Sequence, residues 1–183
     1  QLVNLFPEFK DVSVDELVSM INKTECALIR TEADELTYPL HIMVRYEIEK
    51  EIAKGNVDYD KLPELWADKY EEYLGVRPTN YKEGILQDMH WSTGYLGYFP
   101  TYALGSAYAA QLYATMEKQF DVKEALLTNH FEKITNWLKD NVHHYAASKS
   151  MAKIVEEVSG EPFNPDYYTD YLIKKYKKLY NLD

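Results

Sequence analysis

Ile29-Arg30-Thr31-Glu32-Ala33-Asp34-Glu35-Leu36-Thr37-Tyr38-Pro39-Leu40-His41-Ile42-Met43-Val44-Arg45-Tyr46-Glu47-Ile48-Glu49 is the stretch from which the fold is read. Leu40, Val44, Ile48 and Ile52 recur every four residues, with Met43 beside them, which is the apolar stripe of a core-facing helix. Upstream, Thr31 is the expected N-cap and Asp34 stands three residues on, in the capping-box position. Glu32, Asp34 and Glu35 then load the first turn with the charge that the helix dipole favours. Pro39 lies too deep for a first-turn proline of a helix starting at Glu32. Either the helix kinks there, or a short helix ends near Tyr38 and a second begins. Arg30 stands at the mouth of this element, and its plainest role is a surface charge paired with Glu32 or Asp34.

Helical signals continue on both sides. Ser13-Val14-Asp15-Glu16 is a capping box that opens a helix through Leu17, Val18, Met20 and Ile21. Residues 25–30 lack helical periodicity and read as extended, delivering Arg30 to the next element. Lys54, Gly55 and Asn56 end the second helix. Pro63 begins a third, with Leu62, Leu65, Trp66, Tyr70, Tyr73 and Leu74 as its face and Gly75 as its stop. Residues 76–99 carry Pro78, Asn80, Gly84, Gly94 and Gly97, and read as a long irregular segment of the kind that carries function. Pro100 opens the longest helix, through Phe120, with small residues from Ala103 to Ala110 on a face that lets another helix approach. Helices follow near 122–127, 128–144 and 150–158, the last stopped by Gly160, and a final one runs from Pro165 to Leu179. No strand-like alternation is sustained. The sequence reads as all-α, one multi-helix globular domain over residues 1–183.

Composition narrows the function classes. A net charge of −10 argues against nucleic acid, whose phosphates need clustered Lys and Arg, and the Lys174-Lys175-Tyr176-Lys177-Lys178 run reads as a solvated helix face. No apolar run is long enough to span a bilayer, so no membrane role is expected. A single cysteine, Cys26, excludes a disulfide framework and fits a reducing, cytoplasmic setting; its expected state is buried and inert. Seventeen tyrosines suit helix packing and a wet groove, because each buries an aromatic body while its hydroxyl needs a partner. The chain opens Gln-Leu-Val rather than with methionine, as a piece of a longer polypeptide would.

Few side-chain patterns carry chemistry by themselves. None of His41, His90, His130, His143 and His144 belongs to a His-Glu-x-x-His motif. Asp140, His143 and His144 can share a helix face, yet adjacent histidines point about 100° apart, so helix C-terminal imidazoles are the better reading than a metal site. No metal ligands are assigned in this chain. No Ser-His-Asp order, phosphate loop or nucleophile elbow is present. Asp88 and His90 stand two apart in the irregular segment, suited to orienting one another or a ligand. His41 reads as a hydrogen-bonded core histidine.

Two longer motifs resemble a known family. Ile29-Arg30-Thr31-Glu32-Ala33-Asp34 with Leu36-Thr37-Tyr38 and Leu40-His41-Ile42-Met43, followed by Gly84-Ile85-Leu86-Gln87-Asp88-Met89-His90-Trp91, is similar to the signatures of the carboxypeptidase Taq family of zinc metallocarboxypeptidases. The likeness runs from Phe6-Pro7 almost to the last tyrosines. The family's zinc-binding His-Glu-x-x-His helix lies upstream of these motifs and is absent. The resemblance therefore implies the C-terminal part of a larger helical enzyme that removes C-terminal residues from peptides. It implies zinc or another divalent metal in the complete enzyme and none at a catalytic site here. It also implies the missing N-terminal part as a partner, and a fragment that is inactive alone and pairs as a homodimer through the face left bare. Arg30, Asp34, Gln87 and Asp88 are the implied substrate-binding residues. His90, with Tyr98 or Tyr102, is the implied donor to the oxyanion of the tetrahedral intermediate. The rival reading is a non-catalytic helical module that binds peptides or a partner chain.

Overall fold

The structure is a computed structural model, and it describes residues 5–182. Helices carry the chain, and no strand occurs among the described residues. The chain divides into two compact units, Gln1–Pro100 and Thr101–Asp183. No helix among the described residues is long and apolar enough to cross a membrane.

In the first unit, α1 (Val14–Ile21) opens with the expected capping box: Glu16 N donates to Ser13 Oγ at 3.2 Å and Ser13 N to Glu16 Oε2 at 2.8 Å. The next helix, α2 (Tyr38–Ala53), starts later than Thr31 and Asp34 suggested. Thr31 is no N-cap; it sits in a single 3-10 turn, Arg30–Glu32. Asp34 instead draws the preceding turn together. Its Oδ1 accepts from Thr24 Oγ1, Leu36 N and Thr37 N, and its Oδ2 from Glu25 N and Thr37 Oγ1, all within 2.7–3.0 Å. Pro39 then falls in the first turn of α2, where its missing N–H would have no intrahelical partner anyway. Neither alternative for Pro39 is met as stated: the helical turn ends at Glu32, and the helix that holds Pro39 begins at Tyr38.

α2 packs against α3 (Leu62–Leu74). Val44 and Ile48 meet Leu62, Trp66, Tyr70 and Leu74 in one buried cluster, flanked by Leu40 and Ile52 from the expected stripe. Met43, placed beside that stripe, is exposed. A polar tie reinforces the pair: Lys69 Nζ meets Glu47 at 2.8 Å and Tyr73 OH donates to Glu47 Oε1 at 2.6 Å. Gly75 closes α3 in the left-handed conformation, as expected. Residues 76–99 are irregular apart from 3-10 turns at Ile85–Gln87 and Trp91–Thr93. Gly84 is packed so closely that an added Cβ would lie 3.1 Å from the Asn80 carbonyl oxygen.

The second unit holds α4 (Pro100–Glu117), α5 (Val122–Leu127), α6 (Phe131–Asn141), α7 (Met151–Ser159) and α8 (Asp166–Tyr180). Leu112, Met116, Val122, Trp137 and Val155 form its core. Gln111 is wholly buried and fixes the α7–α8 connection: Nε2 donates to Ser159 Oγ and Pro162 O, and Oε1 accepts from Asn164 N. The small-residue face of α4 is not closely approached at its glycine, since a Cβ on Gly105 would meet nothing within 4 Å.

Candidate substrate-binding site

The 3-10 turn at Arg30, helix α2 and the segment 85–99 bring the candidate residues of the first unit together. Arg30 is 7% exposed, and Arg45, about two turns into α2, is fully buried. Asp88 binds both, with Oδ1 on Arg30 and Oδ2 shared between the two. Arg30 Nη2 reaches Asp88 Oδ1 at 2.6 Å and Nε donates to both oxygens at 3.2 Å. Arg45 Nε donates to Asp88 Oδ2 at 2.8 Å, with Nη2 at 2.6 Å from the same atom. Arg30 therefore pairs with Asp88, not with Glu32 or Asp34.

Gln87 locks the arrangement from the neighbouring position. Its Oε1 accepts from Arg30 N and Arg45 Nη2, both at 2.9 Å, while its Nε2 donates to the Leu28 and Glu83 carbonyls. All four hydrogen-bonding capacities of the amide are thus engaged, and the Arg30 backbone is tied to the loop. Tyr38 OH accepts from Arg30 Nη1 at 3.1 Å. Phe99, also buried, lies near both guanidinium groups, 5.7 Å from that of Arg30 and 5.3 Å from that of Arg45, while Trp66 faces Arg45 at 4.6 Å.

The electrostatics follow from burial and pairing. Burial works to discharge Arg30 and Asp88. For Arg30 the Asp88 hydrogen bonds and charge, with Tyr38, prevail and raise its affinity for the proton; for Asp88 the two arginines prevail and hold the carboxyl below its ordinary range. His41 is fully buried, with Nδ1 3.0 Å from Tyr70 OH. Burial, then the nearby Arg45 and Arg30 charges, push its pKa down to about 4, so it is neutral near pH 7. Two arginines, one aspartate and a neutral imidazole leave the cluster one positive charge in excess.

His90 flanks this cluster. Its ring lies 4.4 Å from that of Phe99 and stacks on Tyr98 at 5.6 Å, while its Nδ1 is 4.0 Å from Asp88 Oδ1. That separation is an ion-pair distance rather than a hydrogen bond, so Asp88 orients Arg30 and Arg45 more directly than it does His90. Tyr98 is 45% exposed. Tyr102 lies in the first turn of α4, in the second unit. Asp34 stays beside the Arg30 turn as a backbone clamp. Cys26, expected to be buried, is exposed. His144, in the 3-10 turn His143–Tyr145 just beyond α6, has Nδ1 3.3 Å from the Lys139 carbonyl oxygen in the last turn of that helix.

No group of three or more His, Cys, Asp or Glu side chains among the described residues is placed to hold a metal.

Sequence reasoning passed over Arg45 and Glu49. The available signal is the recurrence of His41, Arg45 and Glu49 at intervals of four, one residue behind the apolar stripe. All three are buried: His41 meets Tyr70 of α3, Arg45 meets both α3 and the irregular segment, and Glu49 meets the irregular segment.

The class these features define is an all-helical protein whose polar site is organised by two arginines around one aspartate. Residues 1–176 match the family model described as carboxypeptidase Taq (M32) metallopeptidase, and the chain belongs to that family. It is 48% identical over 176 residues to carboxypeptidase 1 of Bacillus subtilis, covering 96% of this chain and 35% of that protein. It is 40% identical over 177 residues to thermostable carboxypeptidase 1 of Thermus thermophilus, again covering 96% and 35%. The crystal structure of the M32 carboxypeptidase from Deinococcus radiodurans R1 superposes with a TM-score of 0.92 at 34% identity, covering 98% of this chain and 37% of that one. The chain thus spans about a third of the length of the relatives it matches.

Proposed function

We propose that this chain forms the substrate-facing part of a metallocarboxypeptidase that removes single residues from peptide C-termini. The observation that carries the reading is the buried Arg30–Asp88–Arg45 cluster with its excess positive charge, in a chain of the carboxypeptidase Taq family. A guanidinium offers two bidentate edges. Asp88 takes the Nε–Nη2 edge of Arg30 and Tyr38 OH accepts from Nη1, and the guanidinium so oriented is assigned here to the terminal carboxylate of the peptide. Asp88, Gln87 and Asp34 act by holding Arg30 in place. His90 and Tyr98 donate to the oxyanion; Tyr98 is preferred to Tyr102 because its ring stacks on His90.

Zinc, or another divalent ion, belongs in this proposal to a part of the complete enzyme beyond these residues, as does the general base. The partners are a peptide substrate, the rest of the enzyme and, for the chain alone, a second copy of itself. A cytoplasmic setting is consistent with one unpaired cysteine. His90→Ala and Tyr98→Phe in the complete enzyme test the oxyanion roles: each is expected to lower kcat about a hundredfold while KM changes little. Unchanged kcat in both variants would remove His90 and Tyr98 from the chemistry.

A further inference from the structure

Glu49 is the third member of the polar stripe on α2, one turn beyond Arg45, and it is 6% exposed. Its Oε1 accepts two hydrogen bonds, from Trp91 Nε1 at 2.9 Å and from the Gly97 backbone N–H at 3.0 Å. These donors are the two ends of one loop. Gly97 is in the left-handed conformation (φ 79°), which a residue with a side chain adopts only under strain, so its N–H is held in a direction that glycine permits. Oε2 is buried and meets no hydrogen-bonding protein group among the described residues. A carboxylate retained in that setting needs a compensating role, and gathering two loop ends on one atom is such a role.

The residues immediately outside the two gathered positions are His90 and Tyr98. Their rings stack at 5.6 Å with an interplanar angle of 27°. Each ring-bearing residue is the chain neighbour of a residue held on Glu49, by its indole at Trp91 and by its backbone N–H at Gly97, so the carboxylate constrains the loop ends from which the two rings project. We infer that Glu49 is a positioning residue for the His90–Tyr98 pair: it closes the loop Trp91–Gly97 and thereby aligns the two donors. This rests on the proposed oxyanion role of those donors. Glu49 itself touches no reacting atom in this account.

The test uses the complete enzyme and a free-acid peptide. Glu49→Ala is expected to lower kcat about tenfold or more with KM within about threefold, because misplaced donors weaken the transition state more than the bound substrate. Glu49→Gln, which keeps an acceptor oxygen, should lose less than Glu49→Ala. Trp91→Phe removes one of the two donors and should lower kcat in the same direction, and the double variant Glu49→Ala/Trp91→Phe should fall no further than Glu49→Ala alone. A merely structural Glu49 would lower the melting temperature and leave kcat and this coupling untouched, which overturns the inference. If Glu49→Ala does not fold, Trp91→Phe decides by itself: a reduced kcat at unchanged KM supports the role and an unchanged kcat overturns it. His90→Ala separates the two levels. Unchanged kcat there and in Tyr98→Phe refutes the oxyanion reading, whereas a reduced kcat in either with Glu49→Ala and Trp91→Phe at full activity refutes only the positioning role.

Discussion

Arg30 and Asp88 are fifty-eight residues apart in the chain, yet Nη2 and Oδ1 meet at 2.6 Å, and the aspartate's other oxygen is held by Arg45. The pair joins the turn before α2 to the irregular segment, so the proposed substrate-binding geometry and the stability share the same contacts. Removing the shared anion leaves two buried guanidinium groups facing one another. Asp88→Ala should therefore destabilise the protein by about 3–5 kcal/mol in denaturant unfolding. In an Arg45→Met background the same change should cost clearly less, because one of the two stranded charges is already gone. Equal costs in both backgrounds would show that Arg45 and Asp88 do not act as a unit.

Acid should loosen the same region through two groups with one sign. His41 has a folded pKa of about 4, below its ordinary value of 6.5, so the unfolded chain takes up its proton first. Its contribution is fully present above about pH 6.5 and is lost as pH falls towards 4. Asp88, also depressed, contributes above the ordinary carboxylate range and loses that contribution as pH falls through its lowered value. Between pH 7.5 and 5, His41 alone should account for about 2 kcal/mol of lost stability. His41→Phe should flatten that part of the profile; an unchanged slope would assign the acid sensitivity elsewhere.

The irregular segment also exposes apolar surface. Leu86, Met89, Tyr95 and Leu96 are each more than half exposed. Exposed apolar side chains grouped on one segment favour association, and the chain by itself is expected to dimerise. Sedimentation velocity over a hundredfold concentration range would reveal this as a rising sedimentation coefficient. A constant monomer value across that range would contradict it.

How much of this was legible in the sequence differs between elements. The Ser13 cap, the Pro63 start and the Gly75 stop are local signals, written within a few residues of where they act, and each helix boundary they mark was found. The start of α2 was misread because Asp34 competes for neighbouring backbone donors in a turn as readily as in a capping box, and spacing alone does not separate the two. The irregular nature of residues 76–99 followed from their glycines and prolines. The Asp88 bridge did not, because a contact across fifty-eight residues leaves no periodic trace. Arg45 and Glu49 hid for a further reason: charged residues spaced along a helix ordinarily face solvent, and here they face a loop. The motifs brought Arg30, Gln87, Asp88 and His90 into view; the hydrogen bonds that join Arg30 to Gln87 and Asp88 needed coordinates.

The substrate role of Arg30 is tested most directly by comparing a free-acid peptide with its C-terminally amidated form on the complete enzyme, before and after Arg30→Ala. Hydrogen bonds to charged groups contribute about 1.5–3 kcal/mol, so kcat/KM on the free acid should fall roughly ten- to a hundredfold or more. Arg30→Lys should restore little, since an ammonium has no fork. On the amidated peptide, already a poor substrate, the loss should be much smaller. An equal proportional loss on both peptides would contradict the assignment and leave Arg30 as an internal strut paired with Asp88.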